Sequence, residues 1–225
     1  MAIDIPFEKQ IEKPNNRMCG AACLSMIYKY YGIPDDQLSI WSRIKDKDGI
    51  GNLFAFTYKI CADLLNHNIN SLIIQAIKPL EVLKICDKNN FSAILVHRVK
   101  RNSNFGHFTV FNKIEGDRIN INDPMKDKPT RIYKKTILDL WKDTGGDEVF
   151  GNILIPITKN HTDKYLCSEC KKEIPISLKC PNCNAEQVIP LTPKETLGCV
   201  NDGCSQKTWN FIVCPFCDQR IYEVN

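Results

Sequence analysis

Eight cysteines in the last 59 residues, set as four close pairs, constrain this 225-residue chain more than any other feature. The pairs are Cys167/Cys170, Cys180/Cys183, Cys199/Cys204 and Cys214/Cys217, with nine residues between Cys170 and Cys180 and nine between Cys204 and Cys214. Two thiols on one tight turn facing two on another make the tetrahedral sulfur set that zinc accepts, and Cys180-Pro-Asn-Cys183 and Cys214-Pro-Phe-Cys217 have knuckle-like turn chemistry. About 60 residues hold too little core to fold without a metal or disulfide staple. Two structural zinc ions are therefore expected. Spacing does not decide which pairs share an ion: consecutive quartets and alternating pairs both satisfy it. Metal-ligand spacing also favours a reducing compartment, and so a cytoplasmic protein.

The charge follows the same division. The formal +4 lies in residues 1–158, with 22 Lys/Arg against 18 Asp/Glu, whereas residues 159–225 carry 8 of each. A metal on four thiolates adds −2, so two loaded sites bring the protein near neutrality, and nucleic acid is an unlikely partner. No apolar run reaches the ~18–20 residues of a membrane span, and an acidic residue interrupts the opening MAIDIPFEK where a signal peptide would be apolar, so no membrane anchor is expected. The expected organisation is one larger domain over 1–158, a polar linker over 159–164 and a small metal-stapled domain over 165–225.

Within the larger part, residues 17–32 (RMCGAACLSMIYKYYG) place a thiol at the first turn of a helix. Ala22, Leu24, Ile27, Tyr28 and Tyr31 recur at helical spacing and Gly32-Ile33-Pro34 supplies a stop. Unpaired N–H groups and the positive end of the helix dipole lower the pKa of a cysteine at that end. Cys19 stands there, and Cys23, one turn deeper, reads as a small buried residue. A short strand is expected over Ile3–Phe7, short helices between 35 and 65 broken around Asp48-Gly49-Ile50-Gly51, a strand over 71–77 and a helix over 79–87. Strands follow over 91–99, 105–114 and 118–121, then a helix over 133–141 and a closing strand over 152–157. Gly145-Gly146 reads as a flexible turn rather than a self-cleavage site.

A thiol nucleophile needs a base and a group that orients the base. His107 begins the strand over 105–114 and Asp123 lies just beyond its hairpin partner, so a hairpin centred near residue 115 brings both to one end. Cys19, His107 and Asp123 are thus the candidate catalytic residues, with Gln10 as a candidate oxyanion donor beside the Cys19 backbone N–H. His97 is the second candidate base; His67 reads as a helix-end residue, and Trp41 and Trp141 as core.

Residues 17–32 closely resemble the nucleophile segment of the C39-type papain-like cysteine peptidases, which cut leader peptides after a double glycine. Residues 106–124 (GHFTVFNKIEGDRININD, then Pro124) resemble that family's histidine and aspartate segment, and Trp141 before a glycine-bearing loop and a final strand is similar too. The resemblance covers about residues 3–158. It implies an α+β papain-like fold, with Cys19 as nucleophile, His107 as general base and acid, and Asp123 as orienting carboxylate. Three features depart from the family: Lys13 stands six residues before Cys19 where the family has its oxyanion glutamine, Met18 stands where aspartate is common, and no transporter follows. The tail resembles a double zinc ribbon, which implies consecutive quartets of ligands. The implied activity is hydrolysis of a peptide or protein substrate through a Cys thioester. The ribbon aromatics Trp209, Phe211, Phe216 and Tyr222 either dock a protein partner or pack between the knuckles. The alternative function is a non-catalytic peptide- or protein-binding module.

Overall fold

The computed structural model describes residues 4–12, 17–47, 51, 53–143, 148–159, 165–188 and 197–222. The larger part runs α1 (Cys19–Tyr30), α2 (Gln37–Ile44), β1 (Lys45–Lys47), β2 (Leu53–Ala55), α3 (Thr57–Asn66), β3 (Asn70–Ser71), β4 (Ile73–Ala76), α4 (Pro79–Lys88), β5 (Ser92–Arg98), β6 (Gly106–Glu115), β7 (Arg118–Asn122), β8 (Thr130–Tyr133), α5 (Lys134–Trp141) and β9 (Ile153–Thr158). The tail adds β10 (Tyr165–Leu166), β11 (Glu173–Ile174), β12 (Ser177–Lys179), β13 (Glu186–Val188), β14 (Trp209–Val213) and β15 (Arg220–Ile221).

Local chemistry sets the helix ends. Asp36 caps α2, its carboxylate accepting from the N–H groups of Leu38 at 2.8 Å and Ser39 at 3.1 Å. Pro79 opens α4, where a missing N–H costs nothing. Gly32, at φ +71°, closes α1, and the N–H of Ile33 returns to the carbonyl of Tyr28 at 2.9 Å. Every residue of α1 from Cys19 to Tyr28 is buried, so this helix is central rather than superficial.

One antiparallel sheet organises the molecule, in the order β15-β14-β4-β9-β5-β6-β7-β8, with β3 also pairing β9. Side chains alternate between its faces, and both are covered. Ile94, Val96, Val110, Ile155 and Val213 pack with α1, α2 and α3 on one side. Ala93, Leu95, Phe111, Leu154 and Ile212 pack with α4, α5 and the tail on the other. The expected linker divides the chain in sequence, but in space β14 pairs with β4 and continues the sheet.

Several expectations are corrected. Residues 4–7 form no strand; Ile5 is buried and its carbonyl accepts from the Asn122 side chain at 2.9 Å. Two features fall outside the expected strands: the β1–β2 hairpin, whose three-residue strands lack alternation, and β8, whose four residues alternate over too short a run to stand out. The strand expected to close the domain, β9, lies inside the sheet between β4 and β5, which explains its continuous burial. The break around 48–51 falls mostly outside the described residues, as does Gly145-Gly146. Trp41 and Trp141 are core, and His67 caps the end of α3.

Candidate active site

Met18 supplies no side-chain cap, so the first-turn amides and the positive end of the helix dipole stand at Cys19. The β6–β7 hairpin approaches that end. Gly116, at φ +58°, begins a two-residue loop between the paired Glu115 and Arg118. A bulge between Phe111 and Lys113 shifts the register once more. The hairpin is therefore centred beyond residue 115, and Asp123 is not the cross-strand partner of His107. Instead the chain turns directly after β7, with the Asp123 carboxylate accepting the Met125 N–H at 3.0 Å, and its Oδ1 lies 2.8 Å from His107 Nε2.

With Nε2 engaged by Asp123, Nδ1 is the ring nitrogen left for the Cys19 thiol, and thiol and imidazole each favour the charged form of the other. Burial opposes charge on His107, but the bonds to Asp123 and Cys19 outweigh it and raise its pKa to about 9. Burial likewise pushes the Cys19 thiol up, yet His107 and the backbone N–H groups of Phe108 and Gly20 hold it below its ordinary value. Both shifts favour one state, thiolate beside imidazolium. Asp123 is lowered too, burial being outweighed by His107. Cys23 shows the opposite outcome: burial, reinforced by the negative charges of Cys19 and Asp123, raises its pKa well above the ordinary range.

His97 pairs across the sheet with His107, and the two rings meet edge to face at 5.5 Å. Its Nδ1–H donates to the Arg98 carbonyl at 2.8 Å and its Nε2 accepts from the Thr109 hydroxyl at 3.1 Å. Burial, with the charge on His107, holds it at about 4, so it stays neutral and walls the His107 ring. Gln10 donates its backbone N–H to the Pro124 carbonyl at 2.9 Å. The structure thus brings Cys19, His107 and Asp123 into one chain of contacts and sets Gln10 at the Asp123 end. Lys13 lies outside the described residues.

Cys19 opens into a groove of about 760 Å³. Arg17 fixes one part of it: its guanidinium lies over the rings of Phe54 and Phe105, at 4.3 and 4.5 Å, and pairs with Glu148 at 2.6 Å. The same Glu148 oxygen accepts the Gly106 N–H at 2.7 Å. Glu148 therefore ties the residue before His107 to a residue two before Cys19. The tail forms another part of the groove, through Phe211, Val213, Asp218 and Arg220. Sequence reasoning named Phe211 only as a docking or packing aromatic of the tail and missed Glu148, Val213, Asp218 and Arg220, since no local pattern announces contacts across such separations.

In the tail the sulfurs of Cys167, Cys170, Cys199 and Cys204 lie within 4.8 Å of one another, as do those of Cys180, Cys183, Cys214 and Cys217. Neighbouring sulfurs across the pairs are 3.5 to 3.7 Å apart. Four sulfurs about 2.3 Å from one ion have edges of about 3.8 Å, so each set fits a tetrahedral metal ion. The pairs alternate, correcting the consecutive quartets implied by the ribbon resemblance. Cys180, Cys214 and Cys217 join the core beneath the sheet with Leu178 and Ile212, whereas Cys167, Cys199 and Cys204 form a separate cluster. Residues beside both sets, Ile174 and Val200 near the first and Leu178 and Ile221 near the second, pack in the same core under the sheet. Trp209 and Phe211 are buried, and Phe216 and Tyr222 are exposed.

The sequence model of the peptidase C39 family matches residues 8–144. No curated protein matches the chain. Among solved structures, a C39-like peptidase from Bacillus anthracis is similar over 71% of this chain and 96% of its own, with 16% identity and a TM-score of 0.55. The peptidase domain of Streptococcus ComA, a bifunctional ABC transporter of a quorum-sensing pathway, is similar over 69% and 98%, with 18% identity and a TM-score of 0.50.

Proposed function

Because the chain belongs to the peptidase C39 family, we propose that it hydrolyses a peptide bond in a peptide or protein substrate, with Cys19 as nucleophile, His107 as general base and acid, and Asp123 as the orienting carboxylate. The observation that carries this reading is the position of His107, whose Nε2 lies 2.8 Å from Asp123 Oδ1 and whose imidazole is held charged by Asp123 and the Cys19 thiol together. The thiolate attacks the scissile carbonyl, and the oxyanion is received by the Cys19 backbone N–H and the Gln10 amide. His107 then gives its proton to the leaving amine, leaving a thioester. Water, deprotonated by His107, attacks the thioester and frees Cys19. A substrate cut after Gly-Gly fits the resemblance of the nucleophile and histidine segments. Two zinc ions on the alternating cysteine sets hold the tail in its fold and take no part in the reaction.

Alkylation of the metal-loaded protein by limiting iodoacetamide from pH 4 to 9, read by peptide mass spectrometry, tests the ion pair. Cys19 carries its thiolate from below the ordinary thiol pKa of about 8.5, and the imidazolium beside it persists until pH rises through about 9. Selective labelling of Cys19 at pH 6 is therefore expected. In His107→Ala burial is no longer opposed by a cation, so labelling moves above pH 8.5. Equal labelling of Cys19 and buried Cys61, whose burial pushes it to about 12, contradicts the reading.

A further inference from the structure

Two arginines face the Cys19 groove, and each lies over two phenyl rings. Arg17 lies over Phe54 and Phe105 and is neutralised by Glu148. Arg220 lies over Phe150 at 4.4 Å and Phe211 at 5.0 Å. Among the described residues no carboxylate forms an ion pair with Arg220, although Asp218 on the same turn also lines the groove and feels the Arg220 charge.

The guanidinium of Arg220 lies over the faces of both phenyl rings, and its five N–H donors lie in its own plane. The edge of that plane matches a planar acceptor with two oxygens, and partial shelter from water strengthens the pairing. The arginine is also held in place. Val213 and Arg220 are cross-strand partners in the β14–β15 hairpin, whose turn is the knuckle Cys214–Cys217. The Cys214 N–H bonds the Gln219 carbonyl at 2.9 Å, and Asp218 takes the left-handed conformation, φ +60°, that closes the turn. β14 in turn pairs with β4 of the central sheet. The tail thereby delivers a fixed cation to the groove that holds Cys19.

We propose that Arg220 is a specificity-determining residue that reads an acidic side chain of the peptide lying across Cys19, which makes the metal-binding tail one wall of the substrate site. This rests on the peptidase reading above. A peptide long enough to follow the groove would set Glu or Asp against Arg220 at one fixed distance in sequence from the scissile bond.

The test is a randomised peptide library incubated with the metal-loaded protein and with R220Q, R220K and R220E, the cut positions being read by mass spectrometry. Iodoacetamide labelling of Cys19 and two metal ions per chain establish that each variant is folded. Wild type is expected to enrich Glu and Asp at one position relative to the cut. R220Q should lose that enrichment by about tenfold, the scale of one charge-assisted hydrogen bond. R220K should keep part of it, and R220E should prefer Lys and Arg, an inversion that a purely structural role would not produce. The same preference in wild type and R220E would overturn the proposal. A library left uncut by wild type would instead sink the peptidase reading, and this inference with it.

Discussion

Cys19 and the eight tail cysteines are the same side chain set to opposite uses. Both regions depend on the thiolate, because it is the form that attacks carbonyls and binds metals. At Cys19 the counter-charge is a single imidazolium that can move its proton, and the thiol opens onto a groove. In the tail each sulfur has three others within 4.8 Å, a closed set suited to one ion. A reactive thiolate needs an incomplete, protonic partner of this kind, whereas a closed set of four sulfurs is the arrangement that a metal ion would make inert. The two regions nonetheless meet, because the hairpin built on Cys214 and Cys217 continues the sheet and lines the groove.

The largest effect that separates them is expected from Cys19→Ala. Peptide cleavage should fall more than about 10³-fold, while metal content stays at two ions per chain. Cys214→Ser is the converse. It breaks one tetrahedral set, so metal analysis should find one ion. Iodoacetamide should still label Cys19 at pH 6, yet cleavage should drop by about tenfold or more as the β14–β15 wall loosens. Unchanged cleavage in Cys214→Ser would mean that the tail and the groove are independent.

A smaller effect is expected at Glu148, which touches neither the thiol nor the imidazole. Glu148→Gln removes the charge that holds Arg17 and weakens the bond to the Gly106 N–H. The nucleophile segment and the histidine strand then lose their shared anchor. kcat should fall about tenfold with little change in KM, since a misplaced base costs rate rather than binding. Equal loss in both would identify Glu148 as a substrate-binding residue instead.

What could be read beforehand follows from how local each interaction is. The Cys19 helix was legible because periodicity, the Gly32 stop and the thiol lie within 16 residues, and the His107–Asp123 relation because one hairpin joins them. Its register was not, since the Gly116 loop and the bulge at Phe111/Lys113 shift the pairing while leaving the same residue types in place. The insertion of β9 between β4 and β5 was invisible, because an apolar run such as Ile153–Thr158 suits an inner or an edge position. The alternating cysteine sets were undetermined for a similar reason: all four cysteine pairs offer the same ligands, and only their placement in the folded chain shows which pairs meet. The clamp of Glu148 on Arg17 spans 131 residues, a distance at which no spacing rule operates.

The finest division of the comparison lies within α1 itself, where Cys19 and Cys23 are one turn apart, both buried, with shifts of opposite sign. Cys23 touches no cation; desolvation dominates, and the charges of Cys19 and Asp123 push it further toward the neutral thiol. Cys23→Ala should therefore remove a packed sulfur and nothing chemical. The small cavity is expected to cost about 1 kcal/mol of stability, partly offset by the higher helix propensity of alanine, and read as a slight fall in unfolding midpoint. The pH dependence of Cys19 labelling should move by less than about 0.3 units, because a neutral neighbour exerts little field on the ion pair. A shift approaching one unit would show that Cys23 carries charge at neutral pH, and the two thiols would then titrate as a coupled pair.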